Sequence, residues 1–140
     1  MGEQLTFIYS VPGDDFTRAG EASSEIKNRL KMLGVDSQAI RKTAIAMYEG
    51  EINMVIHAKG GTITVIISDT EISMVLTDEG PGIADIGKAM QEGYSTAPEE
   101  VRSLGFGAGM GLPNMKKYSD KFHIESEVGA GTIVTMKVYI

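Results

Sequence analysis

The chain has 140 residues, a formal net charge of −6, no cysteine and two histidines. That charge argues against a nucleic-acid partner, whose phosphate backbone is gripped mainly by basic side chains, and the lack of cysteine excludes disulfides, thiolate metal sites and cysteine nucleophiles. No apolar run is long enough to span a bilayer and no signal-peptide pattern opens the chain, so the expectation is one cytoplasmic domain over residues 1–140, without a membrane partner.

Leu5 to Val11 alternate as a strand does. Asp14 or Asp15 is placed to cap a helix running to about Leu33, where Gly34 stops it. Asp36 or Ser37 caps a second helix that reaches about Ala58 and is closed by Gly60-Gly61. Two β-rich runs follow, TITVIIS and ISMVLT, joined by a tight turn at Asp69-Thr70. Asp78 to Gly109 reads as loop with a short helix near Ile86 to Met90. The last third reads as helix (Met110 to Asp120), strand (Phe122 to Glu127), Gly-Ala-Gly turn and strand (Thr132 to Tyr139). The order β-α-α-β-β-loop-α-β-β predicts an α+β two-layer sandwich: a mixed, mostly antiparallel sheet covered on one face by helices. A doubly wound sheet would need strict βα alternation.

The second helix is apolar on most sides, yet Glu49, Asn53 and His57 recur at i, i+4 and i+8 as one polar stripe. Such a stripe on a buried helix needs a ligand, a metal or its own hydrogen-bond network, or else forms a solvated seam at the helix edge. Glu51 lies about 200° round from Glu49 and is read as off the stripe, so Glu51→Gln is expected to stay active and serve as a control. Gly50 costs a helix about 1 kcal/mol against alanine, so it is expected to loosen the segment that holds Glu49.

In LTDEGPGI a strand ends on Asp78, and Gly80 and Gly82 turn the chain beyond it. A carboxylate there can accept a hydrogen bond from an exocyclic amino group. GIADIGKA, Gly82 to Ala89, has P-loop spacing, but Ala89 stands where a hydroxyl should reach magnesium, and Lys88 reads as a surface lysine. GFGAGMGLPNM, from Gly105, puts glycine at every second position ahead of a helix. Each glycine costs entropy on ordering, which is rational if a bulky anion must approach the backbone.

Taken together, Glu49-x-x-x-Asn53, DEGPGI, GFGAGMGL and the late GAGT resemble the GHKL (Bergerat) ATP-binding superfamily over about Ser37 to Ile140. The resemblance implies ATP and Mg2+ as cofactors. On it, Asn53 is the magnesium-binding asparagine and Glu49 the general base. Asp78 takes the adenine amino group, with Gly82 beside the base and Thr132 helping through its hydroxyl or a water, and Gly80 and Ile83 also bind the nucleotide. Ser95, Thr96, Gly105, Gly107, Gly109, Met110, Gly111 and Leu112 complete the nucleotide contacts, the glycines presenting backbone N–H groups to the phosphates as a lid. The segment from Gly93 to Gly109 has few apolar anchors to offset its ordering, so a lid ordered by nucleotide is expected.

Without a phosphoacceptor-histidine helix or a transducer domain, the chain is not expected to be a complete sensor kinase, gyrase or chaperone. EINMVIHA, QEGYST and EEVRSLGFG look like the bacterial anti-sigma serine kinases and the stressosome switch kinase. In that branch Arg102 would assist at the γ-phosphate. The resemblance implies a serine/threonine kinase acting on a STAS-domain antagonist protein, with a sigma factor or a PP2C-type phosphatase as further partners. The alternative is a nucleotide-gated binding module that sequesters a sigma factor or activates a phosphatase. The first strand and helix can form a homodimer interface.

Overall fold

The computed structural model describes residues 4–13, 18–57, 60–83, 86–90 and 111–140. In chain order these form β1 (Leu5–Pro12), α1 (Glu21–Met32), α2 (Ser37–His57), β2 (Gly60–Ile67), β3 (Glu71–Asp78), α3 (Ile86–Ala89), α4 (Gly111–Lys117), β4 (Lys121–Glu127) and β5 (Gly131–Tyr139). The five strands make one sheet in the order β1-β2-β3-β5-β4, and all four neighbouring pairs are antiparallel. The α+β expectation holds, and the described sheet is antiparallel throughout rather than mixed.

Period-2 alternation decides which face meets the helices. Ile63, Val65 and Ile67 of β2, Ile72, Met74 and Leu76 of β3, and Val134, Met136 and Val138 of β5 are buried. They pack against Ile26 and Leu30 of α1, Met47, Met54 and Val55 of α2, and Leu112 and Met115 of α4. The opposite face carries threonines and a few exposed apolar residues, among them Ile8 and Ile133.

The helix ends have local causes. Gly34, at φ +74°, closes α1: its N–H donates to the Lys31 carbonyl and the Val35 N–H reaches back to that of Leu30. Asp36 caps α2, its Oδ2 accepting from the backbone N–H groups of Gln38 and Ala39 at 3.1 and 3.2 Å. At the β2–β3 hairpin, Ser68 Oγ accepts from the N–H groups of Thr70 and Glu71.

Three expectations need correction. The first helix begins at Glu21, with Gly20 in the left-handed region as its N-cap and no cap from that residue's side chain; Asp14 and Asp15 lie outside the described residues. Gly60 and Gly61 open β2 rather than closing α2, because the strand passes close beneath that helix and a Cβ on Gly61 would meet Met54 Cε and the Thr77 carbonyl. Gly50 does not loosen α2, which runs unbroken from Ser37 to His57. It is buried, and a Cβ there would meet Leu76 Cδ2 and come within 3.3 Å of Met115 Sδ. The glycine lets α2 approach the sheet and α4 together.

Glu51 is the largest departure. It is only 2% exposed, and its two carboxylate oxygens accept from the backbone N–H groups of Ala22 and Ser23, each at 3.1 Å. These are free donors of the first turn of α1, so Glu51 caps that helix from another element in place of the side chain Gly20 lacks. It is a structural residue and a poor neutral control. Glu51→Gln keeps one acceptor and leaves one buried N–H facing an amide NH2. That substitution is expected to lower unfolding free energy by about 1–3 kcal/mol, read as an earlier midpoint in urea denaturation.

Candidate functional site

The polar stripe of α2 is carried past the core by helical period. Glu49 and Asn53 lie on its half-buried margin, one turn apart. Glu49 faces the opening of α4: a Cβ on Gly111 would sit 3.7 Å from Glu49 Oε2. Burial raises the Glu49 carboxyl above its ordinary range, and a side-chain hydrogen bond from Asn114, one turn into α4, pulls it partly back. His57 is the last residue of α2.

The second half of the site is assembled by strand register. Asp78 closes β3 directly opposite Thr132 on β5. Asp78 Oδ1 accepts from the Gly80 N–H at 2.9 Å, so the carboxylate holds its own turn. The loop beyond is stitched to β4 and β5: the Ile83 N–H donates to Ser126 Oγ at 2.7 Å, and the Gly129 N–H donates to the Pro81 carbonyl at 2.9 Å. Ser126 Oγ in turn donates to the Gly131 carbonyl and lies 2.8 Å from Thr132 Oγ1. Gly82, at φ +78°, has no alternative here, since any Cβ would strike the Glu127 carbonyl.

The structure thus brings Glu49 to Gly111, and gathers Asp78, Gly80, Gly82, Ile83 and Thr132 about the β4–β5 turn. Leu112 is buried under α4 and holds that helix to the core. Ser95, Thr96, Arg102, Gly105, Gly107, Gly109 and Met110 lie outside the described residues. Lys88 stands exposed on the single turn of α3. Two contributors were missed in the sequence. Ser126 ties the Ile83 loop to Thr132, and its signal was a lone hydroxyl on the inward face of a strand. Asn114 bonds the Glu49 carboxylate, and its signal was a polar residue one turn after Gly111.

Among the described residues no three His, Cys, Asp or Glu side chains cluster as a metal site. Asn53 offers one hard amide oxygen, which suits Mg2+, an ion that keeps its waters and is held largely by phosphate oxygens. The donor set fits magnesium brought in with a nucleotide. Also among the described residues, no helix is long and apolar enough to cross a membrane.

Residues 14–138 match the family described as the histidine kinase-like ATPase domain. The chain belongs to this family. It is 32% identical over 143 residues to the anti-sigma F factor of Caldanaerobacter subterraneus, covering 98% of this chain and 92% of that protein. It is 34% identical over 141 residues to the anti-sigma F factor of Clostridium acetobutylicum, covering 96% and 90%. These relatives put it in the anti-sigma factor branch of the GHKL superfamily. A mycobacterial sensor histidine kinase, MprB, shares the fold with a TM-score of 0.54 at 15% identity, over 99% of this chain and 97% of the solved one. The chain is accordingly a GHKL-type ATP-binding domain.

Glu49 carries a pH signature. Folding raises its pKa, so the native state keeps the proton to higher pH than the unfolded chain does. Its contribution to stability is present below the ordinary carboxylate pKa and is lost as pH rises through the raised value. Glu49→Gln is therefore expected to raise melting temperature relative to the parent near neutral pH. That advantage should shrink as pH falls and vanish below the ordinary carboxylate range, where both states hold the proton. Parallel melts across that range check it.

Proposed function

We propose that the chain is an ATP-dependent protein serine/threonine kinase that phosphorylates a STAS-domain antagonist protein in a cytoplasmic partner-switching pathway. The observation that carries this reading is the Glu49 carboxylate, half-buried, facing the opening turn of α4 at Gly111 and bonded by Asn114. A base must sit where an acceptor hydroxyl meets the γ-phosphate, and the glycine run that ends at Gly111 is where backbone N–H groups would receive phosphates. Desolvation that raises its basicity strengthens it for that task.

In the proposed reaction Asp78 accepts a hydrogen bond from the adenine amino group through the oxygen not committed to Gly80. Thr132 and Ser126 fix the wall beside it. Asn53 would hold the magnesium that accompanies the nucleotide, and that ion would supply neutralisation of phosphate charge. The acceptor hydroxyl attacks the γ-phosphorus as its proton passes to Glu49, the bond to the β–γ bridging oxygen breaks, and ADP leaves. Arg102 and the lid glycines are proposed to stabilise charge on the transferring group. Glu49→Gln should leave ATP affinity near normal while slowing phosphate transfer to a STAS-domain protein by at least about a hundredfold. Full transfer activity in that variant would remove Glu49 from the chemistry.

The name of the relatives, anti-sigma F factor, favours a compatible second reading in which the nucleotide-bound chain also sequesters a sigma factor. Stable ATP-dependent complex formation without transfer to any STAS protein would leave that reading alone standing. For either, the adenine assignment predicts ATP preferred over GTP, with Asp78→Asn losing about tenfold or more in ATP affinity by calorimetry.

A further inference from the structure

A groove of about 260 Å³ lies between α1 and the first turns of α2, lined by Lys27, Lys31, Ser37, Ile40, Arg41, Ala44 and Ile45. Ile40, Ala44 and Ile45 make it apolar, while Lys27, Lys31 and Arg41 are exposed along it. No ion pair engages these three cations among the described residues, whereas Arg18, Arg29, Lys42 and Lys137 each have a carboxylate partner. The chain as a whole carries −6, so three unengaged cations around one apolar strip make a local reversal of its charge.

We propose that this groove receives an acidic amphipathic helix of a protein partner. Two packed helices leave between them a furrow into which the side-chain ridge of a third can set. The α2 lining runs from Ser37 to Ile45, about 12 Å of helix. That length matches two turns of an occupant presenting apolar residues at i, i+3, i+4 and i+7. Acidic residues flanking that stripe would meet Lys27 and Lys31 on one side and Arg41 on the other. A flat anionic surface would meet the cations but leave the apolar strip unfilled.

The groove is separate from the nucleotide face. On the α2 helical wheel its lining centres roughly 130° from the Glu49–Asn53 stripe, with Ile45, one turn before Glu49, at its near edge. An occupant and a nucleotide can therefore be bound at once, and the proposal does not rest on the kinase reading.

The test uses a fluorescent peptide of about 16 residues, long enough to form helix, with a leucine stripe at that spacing and glutamates beside it. Two controls accompany it: the same stripe with lysines for glutamates, and a scramble of the first. With the full chain, the acidic peptide is expected to shift the methyl resonances of Ile40, Ala44 and Ile45. It should bind at least about tenfold tighter than either control, weaken as salt rises, and bind equally with and without ATP. The K27E/K31E/R41E variant should lose at least about tenfold in peptide affinity while keeping the parent's ATP affinity. The unmodified protein's salt dependence and peptide ranking decide the matter if that variant fails to fold. Equal binding of the lysine peptide or the scramble, shifts mapping elsewhere, or competition with ATP would overturn the proposal. So would methyl shifts driven by protein concentration alone, which would mean a second copy fills the groove, or displacement of the peptide by phosphatidylglycerol vesicles.

Discussion

The close approach at Gly50 is the constraint on which the rest of this molecule turns. Consecutive helical residues point about 100° apart, so Glu49, Gly50 and Glu51 address three different elements. Gly50 lies against Leu76 of β3 and Met115 of α4, Glu49 faces Gly111 of α4, and Glu51 reaches the first turn of α1. A glycine here costs the isolated helix about 1 kcal/mol against alanine. In return α2 sits close enough to the sheet to bury Leu76 and Met115. A Cβ here would have to displace the end of the buried Leu76 side chain and crowd Met115 Sδ.

Those glutamates show how differently one helix can house two like residues. Glu51 is buried with both oxygens satisfied by backbone N–H groups, the condition under which a buried carboxylate is tolerable. Its capacity is committed to α1. Glu49 is half-buried, with an amide side chain as its partner and its pKa raised by desolvation. That pattern supports the role proposed for Glu49 as the base.

Much of this was legible because its causes are local. Asp36 and Gly34 act on their own helix ends, the hairpin turn lies within four residues, and Glu49 and Asn53 share a face by helical period alone. Asp78, Gly82 and Thr132 could be picked from short motifs, since each answers to the turn or strand end it occupies. What escaped was tertiary. The cap on α1 comes from Glu51, far along the chain, and no propensity argument finds a cap supplied by another helix. Gly60-Gly61 looked like a helix stop because the nearness of Met54 and Thr77 is invisible in sequence. Ser126 and Asn114 matter through partners 43 and 65 positions away. The order β1-β2-β3-β5-β4 likewise rests on which strand edges pair, and spacing says nothing of that.

The two halves of the site are held by different physics. The Asp78 side is built into the sheet: strand register sets Asp78 against Thr132, and Ser126 bonds the loop at Ile83 while Gly129 bonds Pro81. To displace it, several backbone hydrogen bonds must break together. The Glu49 side depends on α4, seven residues that would not hold a helix alone in water. Leu112 and Met115, both buried, are what dock it. Met115 is also the residue that Gly50 allows α2 to approach, so one core contact positions Glu49, Asn114 and Gly111 relative to one another. The side of the site assigned to adenine is therefore fixed by hydrogen bonds, and the side assigned to phosphate transfer is fixed by packing.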